Sequence, residues 1–126
     1  MTKHKVAALT GPMLDAAVAL AEGKHPYNYT NKWCLIVDEQ EDETVVYEPS
    51  LDWELGGPII EREQIALKTP RNEPGRIEPS WYAHVCPVWT DDGGISSSKG
   101  RGHGDTPLLA AMRAFVASRL GPEVEL

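Results

Sequence analysis

Two stretches of the chain repeat apolar residues at helical spacing, and the segment between them alternates instead. Leu14, Ala17, Val18 and Ala21 recur at intervals of three and four and predict a helix over about 11–22 with a narrow apolar face. Thr10 can cap its start, Pro12 suits its first turn, and Gly23 suits the position just past its end. Leu108, Ala111, Met112, Phe115 and Leu120 give a stronger stripe and predict a second helix over about 107–120. Thr106 stands as its cap, Pro107 at its first position and Gly121 beyond its end. This reading puts Arg113 and Arg119 outside the buried stripe, with Arg119 in the last turn, where a cation suits the helix dipole.

Between the helices the period changes. Trp33 to Val37 and Thr44 to Tyr47 are rich in β-formers and flank a polar loop of hairpin length. Gly56-Gly57-Pro58 reads as a sharp turn, since glycine supplies positive φ and proline fixes its own. Ile59, Ile60 and Ile65, broken by Glu61-Arg62-Glu63, then suggest a strand plus a turn. The segment 69–80, with Pro70, Pro74, Gly75 and Pro79, is predicted irregular. Trp81 to Trp89 is the last strand candidate, with Trp81, Ala83, Val85 and Pro87 on one face and Tyr82, His84, Cys86 and Val88 on the other. Residues 91–105 are rich in Gly and Ser and read as a flexible loop. The order of helix, strands and helix favours an α+β fold: one domain over 1–126, with a small antiparallel sheet and an N-terminal and a C-terminal helix packed on it.

Composition narrows the function classes. The chain has 126 residues, 41% hydrophobic and 25% charged, with a net charge of −7. That balance argues against general nucleic-acid binding or attraction to an anionic membrane, and no run approaches the roughly 18 apolar residues that would span a bilayer. With no apolar leader run near the N-terminus, a cytoplasmic location is expected. Cys34 and Cys86 each sit in an apolar run and are expected to be reduced. The sequon Asn28-Tyr29-Thr30 has no meaning without secretion.

Candidate chemistry was weighed against plainer roles. The run from Ser96 to Asp105 would bring Lys99, Arg101 and His103 to the start of the second helix at Thr106, where free N–H groups favour anions. Against this, no phosphate-loop pattern is present, Pro107 removes a donor and Asp105 adds a negative charge, so a mobile connector is the favoured reading. His84 and Cys86, with Cys34, lack the paired spacing of a zinc site, and no metal or cofactor is expected. Asp52, Glu61 and Glu63 could pair as carboxylates near Trp53, but among 19 acidic residues ion pairs with Arg62 or solvated positions are the expectation. Trp33, Trp53, Trp81 and Trp89 are expected as core or interface anchors, with base stacking beside Arg101 as the alternative. The exposed edges of a small sheet would allow a homodimer.

Several blocks carry a resemblance. Leu9-Thr10-Gly11 opens a short Ala-rich helix; Trp53 is followed by Gly56-Gly57-Pro58-Ile59-Ile60-Glu61-Arg62-Glu63; then comes Trp81-Tyr82-Ala83. The last runs from Gly104-Asp105-Thr106-Pro107 to Arg113, on through Val116-Ala117-Ser118 to Gly121 and Glu123-Val124-Glu125. In these the chain resembles the small phage and prophage proteins of the NinX family; residues 91–102 lie outside the blocks. The resemblance implies a phage α/β sandwich-like fold, expression from a phage or prophage, an accessory role in the bacterial host's cytoplasm, and no established activity. The expectation is a non-enzymatic protein that binds an unknown host protein or a small anionic ligand, with Trp53, Gly56, Gly57 and Glu61 as a binding corner. The first alternative is a binder or sponge of a nucleotide-type host defence signal, using Lys99, Arg101, Thr106 and a stacking tryptophan. The second is a small hydrolase using Asp52 or His103.

Overall fold

The chain alternates short strands with three helical segments in the computed structural model, which describes residues 2–30, 32–38, 40, 42–70 and 80–126. Strand β1 (Lys3–Lys5) leads through a 3₁₀ turn (Val6–Ala8) into α1 (Gly11–Ala21). A hairpin follows, β2 (Leu35–Asp38) with β3 (Glu43–Val46), then α2 (Trp53–Arg62), β4 (Ile65–Lys68) and β5 (Trp81–Val85). A second hairpin, β6 (Val88–Trp89) with β7 (Ile95–Ser97), precedes β8 (Gly100–Gly104), α3 (Pro107–Leu120) and β9 (Glu123–Glu125). The fold is α+β, and every strand pairing named here is antiparallel. Among the described residues no helix is long and apolar enough to cross a membrane.

Both predicted helices form over the expected residues, although Thr10 at the start of α1 makes no side-chain capping hydrogen bond. Thr106 Oγ1 accepts from the N–H of Leu109 at 3.1 Å, closing the first turn of α3. At the end of α1, the N–H groups of Gly23 and Lys24 reach back to the carbonyls of Leu20 and Ala19 at 3.0 and 2.8 Å, with Gly23 at φ 78°. This is the Schellman closure that glycine makes easy. The helices are buried more widely than a single stripe: residues 14–19 of α1 and 110–116 of α3 are all buried. Helix α3 lies between the sheet β4-β5-β8 and α1, and its Met112 and Phe115 are fully enclosed. Arg113 is therefore inside the fold, at 8% exposure, not on the solvent side as its place outside the apolar stripe suggested.

Three further expectations change. Gly56-Gly57-Pro58 is not a turn: it lies inside α2, and neither glycine has positive φ. The carboxylate of Asp52 caps that helix by accepting from the N–H of Glu54 at 2.9 Å, and Pro58 costs it one internal donor. The run from Trp81 to Trp89 is two strands, because Cys86 turns out of the ladder at φ 46° and Pro87 follows. The stretch 91–105, read as a flexible loop, is mostly paired: Thr90 to Gly94 closes the β6–β7 turn, and β8 joins β5. Of the segment 69–80 predicted irregular, residues 71–79 lie outside the described residues. Strands β1 and β9 bring the two ends of the chain together in register, from Lys3 opposite Glu125 to Lys5 opposite Glu123.

Candidate functional site

Strand β8 reads Gly-Arg-Gly-His-Gly, and its alternation sets the geometry of a groove. The glycines face α3. A Cβ on Gly102 would lie 2.6 Å from the Ala110 carbonyl oxygen and the Ala114 nitrogen; one on Gly100 would lie 2.6 Å from the Ala114 oxygen. Only hydrogen fits, so the strand rests directly on the helix backbone. Arg101 and His103 consequently project from the opposite face of the sheet. There His84 of β5 stands opposite Arg101 and Tyr82 opposite His103, with the Tyr82 and His103 ring centres 5.8 Å apart and tilted by 35°.

Arg113 reaches the edge of the same strand from α3. Its Nη1 donates to the carbonyl oxygen of His103 at 2.8 Å, and its Nε to that of Leu9 at 3.0 Å. Among the described residues no carboxylate stands within ion-pair distance of it. Burial pulls its pKa below the usual arginine range, opposed only by the more distant charge of Asp105. A guanidinium cannot shed its proton at neutral pH, so this is a desolvated cation whose partners are neutral carbonyls. It lines a groove of about 550 Å³ together with Arg101, His84, His103 and Tyr82 and the apolar Val6, Ala7, Ala117 and Pro122. Burial, then the nearby Lys68 and Arg101, holds the His84 pKa below its ordinary value. Cationic and apolar groups in one lining, in a protein of net charge −7, are chemistry suited to an anion with a hydrophobic body.

A family model described as "Bacteriophage P22, NinX" matches residues 5–119. The chain belongs to this NinX family of phage proteins. No curated protein matches it significantly. The NinX match spans most of the groove, from Val6 to Ala117, but ends before Pro122.

The other residues singled out in this NinX-family chain are placed as follows. Arg101 lines the groove; Lys99 is exposed on the approach to β8, and its N–H donates to the Val85 carbonyl at 2.8 Å. Thr106 is occupied as the α3 cap. Trp53 opens α2 and is 53% exposed, whereas Glu61 lies eight residues on, about 12 Å along the axis. Gly56 is a packing contact, since a Cβ there would lie 2.6 Å from both the Pro49 oxygen and Leu108 Cδ2; at Gly57 nothing comes within 4 Å. The expected corner is thus a helix with one exposed aromatic, and none of its four residues lines the groove. Asp52 is used as a cap, and Glu63 is bridged by Arg62 and Arg119 at 2.8 and 2.9 Å. Burial works to raise the Glu63 pKa, but the two arginines outweigh it and hold it low. His84 and Cys86 do not share a strand face, because β5 ends at Val85, and the Cys86 thiol donates to the Glu63 carbonyl at 3.3 Å. Among the described residues no group of three or more His, Cys, Asp or Glu side chains is placed to hold a metal ion. Both cysteines are free. Three of the four tryptophans, Trp33, Trp53 and Trp89, are exposed in this chain rather than core.

A second buried charge went unnoticed in the sequence. Asp15, 2% exposed on α1, accepts from the N–H of Ser50 at 2.9 Å. Burial raises its pKa to about 6, against the opposing pull of Ser50. The Ser50 hydroxyl is close enough to contribute to that pull but forms no well-made hydrogen bond. Beside it the Cys34 thiol is pushed up to about 12 by burial and the Asp15 charge, and the buried Tyr47 hydroxyl is pushed higher still. A thiol so protonated is inert as a nucleophile.

Proposed function

We propose that this NinX-family protein is a non-enzymatic binding protein for a small anionic ligand, held in the groove along β8 and acting as a phage accessory factor in the bacterial cytoplasm. The observation that carries this reading is Arg113: a buried cation without a carboxylate partner, lining the same groove as Arg101. Burying an arginine without a counter-charge is costly even where carbonyls accept its N–H groups, and an arriving anion would offset part of that cost through charge-assisted hydrogen bonds. The described lining supports binding over turnover. It has two histidines, but no serine, cysteine or carboxylate to act as nucleophile or to orient a base. Titration calorimetry with inorganic pyrophosphate tests this. Binding to the natural protein, weakened roughly tenfold or more in Arg101→Gln, is expected from the loss of one guanidinium–phosphate contact. No heat with pyrophosphate, or an unchanged affinity in the variant, contradicts it.

A second reading rests on a different surface. Leu51 and Trp53, 72% and 53% exposed, stand together at the start of α2, and such a pair suits a host protein contact. A Trp53→Ala variant that keeps its fold but loses a specific host partner would favour that reading.

A further inference from the structure

We infer that the groove takes a nucleotide: a phosphate ester whose phosphate sits between Arg101 and Arg113 and whose flat ring lies between His103 and the apolar part of the lining. The inference rests on the anion-binding reading above and names the ligand class.

Size decides first. A lone phosphate fills a small fraction of about 550 Å³, whereas cavities of roughly 300–1,000 Å³ bury ligands of nucleotide size. Charge decides the head group. Arg101 and Arg113 both line the groove; the planar fork of Arg101 matches phosphate oxygens in pairs, and Arg113, whose Nε and Nη1 are given to carbonyls, adds its Nη2. The imidazole of His84 stands across the strand from Arg101 and can add a further hydrogen bond. The groove has no described carboxylate in its lining to repel a dianion.

The rest of the groove decides the body. His103 lies two residues from Arg101 on the same strand face, its ring already against Tyr82 at 5.8 Å. Val6, Ala7 and Pro122 belong to the same lining. A flat ring entering this space is stacked on one side by an aromatic surface and covered on the other by aliphatic groups. Such stacking tolerates any base, because every base presents a π-face. An aliphatic phosphate ester would leave the imidazole face bare, and a nucleoside without phosphate would leave both arginines without an anion. Only the two parts joined in one molecule use both the cationic and the apolar groups of the groove.

Calorimetric titrations with adenosine 5′-monophosphate, inorganic phosphate and adenosine separate the contributions. The monophosphate is expected to bind at least tenfold more tightly than either fragment. Arg101→Gln should reduce it to the level of adenosine. Ala7→Tyr, an exposed position where the fold tolerates a larger side chain, should fill the apolar side and weaken the monophosphate at least tenfold while leaving inorganic phosphate unchanged. Equal affinity for phosphate and for the monophosphate overturns the ring assignment and leaves the anion reading standing. Absence of binding by any phosphate compound removes both. Monophosphate binding that survives Arg101→Gln and Ala7→Tyr places the ligand elsewhere and overturns the inference.

Discussion

Asp15 and Arg113 are both charged residues buried in central helices, both satisfied by backbone groups from distant segments, and they meet different ends. Asp15 lies in an enclosed corner with Ser50, Cys34 and Tyr47. With a pKa of about 6 it can discharge the cost of burial by taking a proton. Arg113 has no such escape, and the chain instead leaves it lining the same open groove as Arg101. A titratable group can be sealed in the core, whereas a permanent charge is kept where an external partner can reach it.

The largest expected loss comes from breaking the support of Arg113. Gly102→Ala sets a Cβ 2.6 Å from two backbone atoms of α3, which a helix backbone cannot yield, so β8 must lift away. The expected destabilisation is about 3 kcal/mol by chemical denaturation, together with loss of pyrophosphate binding even where the protein remains folded. A variant as stable as the natural protein would remove the claim that β8 rests on the helix.

Asp15 gives the next effect and the sharper contrast. Its folded pKa of about 6 stands above the ordinary 3.8, so its neutral form is favoured on folding. The associated stability is present in full below about pH 4 and is lost as pH rises through 6. The difference corresponds to about 3 kcal/mol at most. Asp15→Asn, which keeps the carbonyl that accepts from Ser50, should therefore stabilise the protein at pH 7 by about 2 kcal/mol, and the gain should vanish by pH 4. A pH-independent difference in denaturation midpoints would show that ionisation of Asp15 carries no such cost. Arg113→Lys offers no parallel relief. It loses the fork that bridges Leu9 and His103, and its stability should fall at every pH from 4 to 8.

The smallest effect belongs to the surface. Arg119→Ala removes one of two arginines on Glu63, and both arginines are about half exposed, so the change should stay below about 1 kcal/mol and shrink in high salt. A larger, salt-independent loss would mean that this ion pair is part of the core.

Much of the frame was legible in the residues. Thr106, Pro107 and Gly121 mark the ends of α3 and Gly23 the end of α1, because caps act locally; Thr10 stands at the start of α1 without a side-chain capping bond. Helix α2 was not legible: Gly56 and Pro58 are helix breakers by propensity, yet Gly56 is there because Leu108 and Pro49 leave no room for a Cβ. Tertiary packing decided the element. The groove was half legible. Arg101 stands out as a cation in a glycine run, but a glycine run reads first as flexibility. The signal missed was their period of two, Gly100, Gly102 and Gly104, which marks a strand pressed on a neighbour as well as it marks a loop. Arg113 could not be found from its stripe position, because a helix covered on several sides has no solvent face to assign.

The central claim is that Arg101 and Arg113 form one anion site at the edge of β8. Nitrogen-15 NMR, following backbone amides and arginine Nε–H signals during titration with pyrophosphate, tests it most directly. Saturable shifts of the Arg101 and Arg113 Nε–H signals and of the amides of residues 101–103, with α2 undisturbed, are the predicted result. Shifts centred on Leu51 and Trp53, or none that saturate, would contradict it.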